Sequence, residues 1–258
     1  MSTEKIKGTQ SFSRSMNVLQ LIADQIEPPG VTELLALSSL TRPTLYRILS
    51  SLEAEGVVIK TSGKRYRLGA RLIGLAHGAL TQVDVRGIAR SVLTALRDET
   101  GETVHLAIRN RDEMVYVDKI DSREVVRMAS TIGTRVPFYS SSAGKAYLAA
   151  LPNIEAKKIM DRLCLAPLTQ HTSTDLQYVS EKVEAARVLG FSFDEQENED
   201  GIVCYGAPIR DGSGLPVASV SISIPMFRLN ADKTHYSRPL VSRCAEISKM
   251  LGLSKLKT

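Results

Sequence analysis

Cysteine is scarce. Cys164, Cys204 and Cys244 are widely spaced, odd in number and form no CxxC pair, so neither a disulfide framework nor a zinc ribbon is implied, and a reducing compartment fits. Long apolar runs are absent as well: no stretch approaches the ~18 uninterrupted apolar residues of a membrane span. The polar start MSTEKIKGTQ lacks the apolar centre of a signal peptide. The expectation is a soluble, cytoplasmic protein with no membrane partner. Excess charge of one sign is small, 33 Lys+Arg against 28 Asp+Glu for a formal +5, which favours an anionic partner only mildly. The four histidines, His77, His105, His171 and His235, match no metal-ligand spacing and read as ordinary surface or core residues. No metal and no cofactor is expected. With 43% hydrophobic and 24% charged residues over 258 positions, the chain can bury a sizeable core in one large or two ordinary domains.

The charge is unevenly spread. Residues 1–75 hold 10 Lys+Arg and 6 Asp+Glu, and the remaining 183 hold 23 and 22. That asymmetry suggests a small nucleic-acid-facing module joined to a larger, nearly neutral domain. Within the first part, Phe12, Met16, Leu19, Ile22 and Ala23 recur at helical spacing until Pro28-Pro29-Gly30 stops the run. Thr32 suits the N-cap of a short second helix carrying Leu34, Leu35 and Leu37. Thr41 suits the cap of a third, with Pro43 in its first turn and Leu45, Ile48, Leu49 and Leu52 as its buried stripe. This leaves Arg42, Thr44, Tyr46, Arg47 and Ser51 pointing elsewhere, donors and small polar groups suited to a major groove. Val57–Lys60 and Tyr66–Leu68 then read as a hairpin whose tip carries Gly63, Lys64 and Arg65. The order of these elements is that of a winged helix-turn-helix: the third helix enters the major groove and the wing cations meet phosphate.

Residues 76–100 read as linker helices, with Leu72, Ile73, Leu75, Ala76 and Leu80 in one apolar pattern and Ile88, Val92, Leu93 and Leu96 in the next. Such helices either pair with their copies in a dimer or bury against their own domain. From residue 101 onward short strands alternate with helices. Strands are expected at Thr103–Arg109, Glu113–Asp121, Phe191–Glu195, Ile202–Ile209 and Val217–Ile224, and helices at Ala143–Leu151, Ile154–Leu163, Leu176–Leu189 and Ser237–Leu251. This is an α+β domain with a largely antiparallel sheet. Strand parity puts Ser219, Ser221 and Ser223 on one face of the last strand, and Cys204 shares a face with Gly206. The serine row either meets water or lines a polar cavity.

Two enzymatic patterns bear on the segment Tyr139–Ala146. A P-loop fails, because Tyr139 stands where glycine is needed and Ala146 follows the Gly-Lys pair. Ser142-x-x-Lys145 matches the acyl-serine SxxK spacing without its partner motifs.

Several ordered motifs carry a family resemblance spanning residues 10–252. Thr41–Leu49, Leu52-Glu53-x-x-Gly56 and Tyr66-Arg67-Leu68-Gly69 resemble the DNA-binding half of IclR-type bacterial regulators. Gly133–Pro137, Ala143–Ala146, His171-Thr172, Gly190-Phe191, Asp194, Gly201, Cys204 and Ala207–Asp211 resemble that family's ligand-sensing half. The resemblance implies a winged helix-turn-helix in 1–75 and a GAF-like α/β effector-binding domain in 101–258. It also implies a homodimer or dimer of dimers on a pseudo-palindromic double-stranded operator, repressing or activating catabolic genes. Arg14 would hold backbone phosphate beside Arg42, Thr44, Tyr46 and Arg47 in the groove, with Lys64 and Arg65 serving the wing. In the effector site Ser142 and Ala143 would offer backbone N–H groups. Asp194, Cys204, Ser221 and Ser223 would be polar lining, and Val125, Met128, Val136 and Ile202 an apolar wall. These groups suit a small organic or aromatic acid, although Asp194 would repel a carboxylate unless protonated or turned away. Pro43 and the Ser38-Ser39-Leu40 turn depart from the family pattern. An acyl-serine enzyme using Ser142 and Lys145 and a dimeric protein-binding scaffold are the alternatives.

Overall fold

A computed structural model describes residues 10–81, 84–126 and 128–252. The N-terminal stretch read for targeting and the side chains of His77 and Leu80 lie outside the described set. The chain divides into two compact units, with the boundary after Gln82.

The first unit holds α1 (Gln10–Ala23), α2 (Val31–Leu37), α3 (Arg42–Ala54), β1 (Val58–Lys60), β2 (Tyr66–Leu68) and α4 (Arg71–Thr81). Its core is the expected one: Val18 and Ile22 of α1 and Leu34 of α2 meet Leu45, Ile48, Leu49 and Leu52 of α3, closed by Val58 and Tyr66. Burying these side chains, at roughly 1.5–3 kcal/mol each for the larger ones, is what holds three short helices together. One cap differs from expectation. Helix α2 starts at Val31 with Gly30, not Thr32, as N-cap, because Glu33 reaches back to accept the Gly30 N–H at 2.5 Å. Thr41 does cap α3 by position, but its hydroxyl meets the Thr44 hydroxyl at 2.9 Å instead of a backbone N–H. The β1–β2 pairing is antiparallel, with Ile59 opposite Arg67. The hairpin is tied to the helices where Tyr66 N–H donates to Pro29 O at 2.9 Å.

The second unit contains α5 (Asp84–Thr100), β3 (Thr103–Asn110), β4 (Glu113–Ile120), β5 (Arg135–Pro137), α6 (Ser142–Ala150), α7 (Asn153–Met160), α8 (Leu176–Leu189), β6 (Ser192–Glu195), β7 (Ile202–Arg210), β8 (Pro216–Pro225) and α9 (Thr234–Met250). The strands form one antiparallel sheet in the order β5-β4-β3-β8-β7-β6. Strand β5, three residues ending in proline at the sheet edge, was not expected from sequence. Helices α5 and α9 pack together on one face, where Tyr205 of β7 meets Tyr236 of α9 at 5.5 Å between ring centroids. The opposite face is covered by α6, with α7 and α8 outside it. The apolar stripe of α5 is thus buried within its own unit: Val92, Leu93 and Leu96 are all sealed. Asp118 of β4 anchors α5 further, receiving Arg90 and Arg86. No helix among the described residues is long and apolar enough to cross a membrane.

Candidate functional site

In the first unit, burial of the α3 stripe leaves Arg42, Tyr46 and Arg47 exposed, while Thr44 is half-buried by its bond to Thr41. Arg14 of α1 is exposed on a groove formed with Leu37–Leu40 of the α2–α3 turn. At the wing tip Lys64 adopts φ +56° and points its charge to solvent. Arg65 behaves differently. It donates to Pro28 O at 2.6 Å and spans both oxygens of Glu33 at 3.3 Å, pinning the wing to the start of α2. Sequence position alone made it an equal of Lys64. The structure gives it an internal partner, since the Pro28–Gly30 bend brings Glu33 beside β2. Lys60 and Arg67, exposed on the hairpin and absent from the sequence-based set, could have been found from strand parity. Among the described residues Arg14, Arg42, Arg47, Lys60, Lys64 and Arg67 make no ion pair. A helix and a hairpin offering unpaired cations form the electrostatic footprint of duplex binding.

In the second unit, the sheet face under α6 carries Ser192 and Asp194 of β6, Cys204 and Gly206 of β7, Ser219, Ser221 and Ser223 of β8, and His105 of β3. Helix α6 starts directly on it. Ser141 caps the helix, accepting the Gly144 N–H at 3.1 Å. The Ser142 carbonyl accepts Ser192 Oγ at 2.5 Å and sits so close to Gly206 that any Cβ there would collide with it. The Ser142 and Ala143 N–H groups, both buried, find no backbone acceptor among the described residues. They are orphan donors of a helix start.

Beside this contact the sheet opens into a small, partly enclosed cavity of about 50 Å³. Its walls include Met128, Val136, Asp194, Ile202, Cys204 and Ser223 from the sequence-based set, joined by His105, Tyr116, Ser130, Thr134, Asn198 and Glu199, which sequence reading missed. Four others of the set lie elsewhere. Ser221 is buried opposite Gly206 and His105, while Ser142 and Ala143 sit at the α6 start, next to the cavity and not in its wall. Val125 is 95% exposed. Its segment turns outward at Ser122, whose hydroxyl donates to Gly101 O and accepts Glu124 N–H, so Val125 is no part of the apolar wall. A larger groove of about 470 Å³ runs between α7 and α8, open to solvent and edged by surface side chains.

The pocket's polar groups are tightly held. The His105 ring stacks on Tyr116 with centroids 4.3 Å apart and meets Ser130 Oγ at 2.7 Å. Burial, aided by the Lys119 charge, lowers its pKa to about 3, so the imidazole is neutral. Cys204 Sγ donates to Ser223 Oγ at 3.3 Å, and burial pushes the thiol far up, as it does the Tyr116 phenol. Ser221 exerts a small pull on that phenol without a hydrogen bond of normal geometry, and its Oγ, like that of Ser219, is buried without a partner. Asp194 Oδ1 accepts the N–H groups of Glu197 at 2.8 Å and Asn198 at 3.3 Å. Burial nonetheless raises its pKa to about 7, against the opposing pull of Lys145. Lys145 itself is closed on Glu197 at 2.6 Å, so the Ser142-x-x-Lys145 pair is not assembled as nucleophile and base. The thiol and the imidazole in the cavity wall are thus both neutral, and the lysine outside it is engaged.

Comparison with known proteins agrees with both halves. Residues 11–61 match the IclR helix-turn-helix domain, and residues 77–249 match the C-terminal domain of the bacterial transcriptional regulator IclR. The chain is 31% identical over 247 residues to the HTH-type transcriptional regulator KdgR of Escherichia coli, covering 95% of this chain and 94% of that one. It is 32% identical to the HTH-type transcriptional repressor AllR of Klebsiella pneumoniae, covering 96% and 92%. Among solved structures, the Thermotoga maritima IclR protein superposes with a TM-score of 0.74 at 33% identity, covering 94% of this chain and 98% of that one. With a helix-turn-helix unit, a sensing-type α+β unit and relatives matched along nearly their whole length, this chain belongs to the IclR family of DNA-binding bacterial transcriptional regulators.

Proposed function

We propose that this protein is a cytoplasmic regulator whose affinity for a pseudo-palindromic operator changes when a small organic acid occupies the cavity under α6. The observation that carries the reading is the pairing, in one chain, of a helix–hairpin face of unpaired cations with a small cavity lined by neutral donors, the buried Asp194 carboxyl and, at its exposed side, Glu199. Arg42, Tyr46 and Arg47 contact base edges and phosphates in the major groove, Thr44 supports the helix start, Arg14 meets the backbone, and Lys64 with Lys60 and Arg67 serves the wing. Met128, Val136 and Ile202 form the apolar wall of the ligand site, with Asp194, Cys204 and Ser223 as polar contacts. His105 and Tyr116 close its floor.

A cavity of about 50 Å³ is far below the roughly 300 Å³ at which drug-sized ligand pockets begin. The ligand is therefore small and its walls part to admit it. The protein works as a homodimer or dimer of dimers. Ile73 and Leu75 of α4 and Phe12 and Met16 of α1 are exposed apolar side chains that a second copy would cover. No catalysis is assigned, since Lys145 is held by Glu197.

Thermal-shift screening of the pure protein against small acids, followed by gel-shift of DNA from its own upstream region, tests the reading. An acid that both stabilises the protein and alters the DNA shift supports it. Duplex binding that no small molecule changes counts against it.

A further inference from the structure

The cavity wall is rich in carboxylate and poor in cation. Among its described residues none is Lys or Arg, whereas Asp194 and Glu199 are both acidic. Two cations lie nearby, neither in the cavity wall and both engaged: Lys145 of α6 is closed on Glu197, and Lys119 of β4 donates to the Met128 and Ser130 carbonyls and pairs with Asp121. A small acid entering as an anion would meet negative side chains and no free positive one, and in a water-poor site that repulsion is much less screened than at the surface.

The geometry of Asp194 removes the conflict. Oδ1 is committed to two backbone N–H groups, while Oδ2 has no hydrogen-bond partner among the described residues on a side chain that forms cavity wall. The groups facing it from each packed element are fixed: His105 of β3 and the Cys204 thiol of β7 are neutral, Tyr116 of β4 is a neutral phenol, Lys145 of α6 is paired with Glu197, and Glu199 follows on the same loop. We propose that the pocket takes up its acid together with one proton: the ligand binds as its carboxylate, and Asp194 Oδ2 carries a proton that it donates to a carboxylate oxygen of the ligand.

One O–H bond forms at Asp194 with a proton drawn from water, and no bond in the ligand breaks. Ionised Asp194 and the free ligand carry two negative charges between them, and the proton taken up leaves one in the complex, so no cation is required. A second carboxylate on the ligand would have no such compensation, so the site selects small monocarboxylic acids over dicarboxylic ones. Burial supports this by already holding the Asp194 carboxyl at about 7, and a hydrogen bond that only the protonated form can donate raises it further.

This rests on the pocket reading above, and calorimetry separates the two. Straight-chain monocarboxylic acids of a few carbons, and dicarboxylic acids of the same length, are titrated into the full-length protein at about pH 6 and about pH 8, in pairs of buffers with different ionisation heats. The expected result is uptake of close to one proton per ligand at the higher pH and little at the lower, with affinity falling about tenfold per pH unit above about 7. Asp194→Asn, whose amide donates without titrating, gives a flat pH profile. Binding by the wild-type protein with equal affinity at both pH values and no buffer-dependent heat overturns the proton coupling and leaves the pocket in place. Binding of neutral polyols with no acid bound overturns the acid reading and the coupling together.

Discussion

Lys145 of α6 and Glu197 of the loop after β6 meet at 2.6 Å with side chains 1% and 8% exposed. The pair joins the helix that covers the sheet to the loop that forms one pocket wall, and Thr172 Oγ1 donates to the Glu197 carbonyl from a third segment. A buried pair is costly to break on one side only, because a charge is then left without compensation. Lys145→Met is expected to lower stability by about 3–5 kcal/mol. The double change Lys145→Met with Glu197→Leu should recover much of that, and urea denaturation of both variants decides it. Equal loss in the single and double variants would show that the pair's charges do not matter.

The raised pKa of Asp194 has a sign that can be checked without any ligand. Its folded-state value of about 7 lies above the ordinary 3.8. Between these pH values the folded protein keeps a proton that the unfolded chain has released. The contribution of Asp194 therefore favours folding fully below about pH 4 and is lost as pH rises through about 7. The stability of Asp194→Asn relative to wild type should grow from about pH 4 to about pH 7 and level off beyond. A pH-independent difference between the two proteins would contradict the buried, protonatable state.

Gly206 lies under the Ser142 carbonyl with no space for a side chain. Gly206→Ala forces α6 off the sheet and moves the Ser142 and Ala143 N–H groups, with an expected loss of about 1–3 kcal/mol as in other overpacked cores. Ligand-induced thermal shifts should shrink in this variant more than DNA affinity does. An alanine accepted with unchanged stability and ligand response would mean that the close approach is not needed.

Two adjacent wing cations should separate in function. Lys64 is free, so Lys64→Ala weakens binding to all DNA sequences alike and lowers the salt slope by about one phosphate contact. Arg65 holds Glu33 and the Pro28 carbonyl, so Arg65→Ala loosens the wing while, as an exposed ion pair, costing little stability. Its salt slope stays close to that of the wild-type protein. Salt-titrated binding of both variants tests this, and identical slopes for the two would remove the distinction.

Much of this architecture is legible in the sequence. The α3 stripe Leu45-Ile48-Leu49-Leu52 and the exact span of α8, ended by Gly190 at φ +79°, follow from helical spacing and glycine chemistry that act locally. Parity on β8 placed Ser219, Ser221 and Ser223 on one face, and the resemblance added Asp194 and Cys204. His105 and Tyr116 escaped because their place in the pocket depends on β3 pairing with β8, a contact across more than a hundred residues that no local pattern encodes. The resemblance implies Val125 for the apolar wall by position alone, whereas it is 95% exposed just after Ser122, whose hydroxyl ties the backbone to Gly101 O and Glu124 N–H. Thr32 and Gly30 illustrate the same limit at a cap, where Glu33 and the packed Arg65 decided which residue starts α2.

The most direct test of the account is anisotropy of a labelled operator duplex from the protein's own upstream region, titrated with the full-length protein with and without the monocarboxylic acid that most stabilises it. The expected result is tight, salt-sensitive binding that Arg47→Ala abolishes or relaxes, and an acid-dependent change in affinity that disappears in a Ser223→Ala and Asp194→Ala double variant that remains folded. Operator binding identical with and without the acid, or an acid response that persists in the pocket variant, would contradict it.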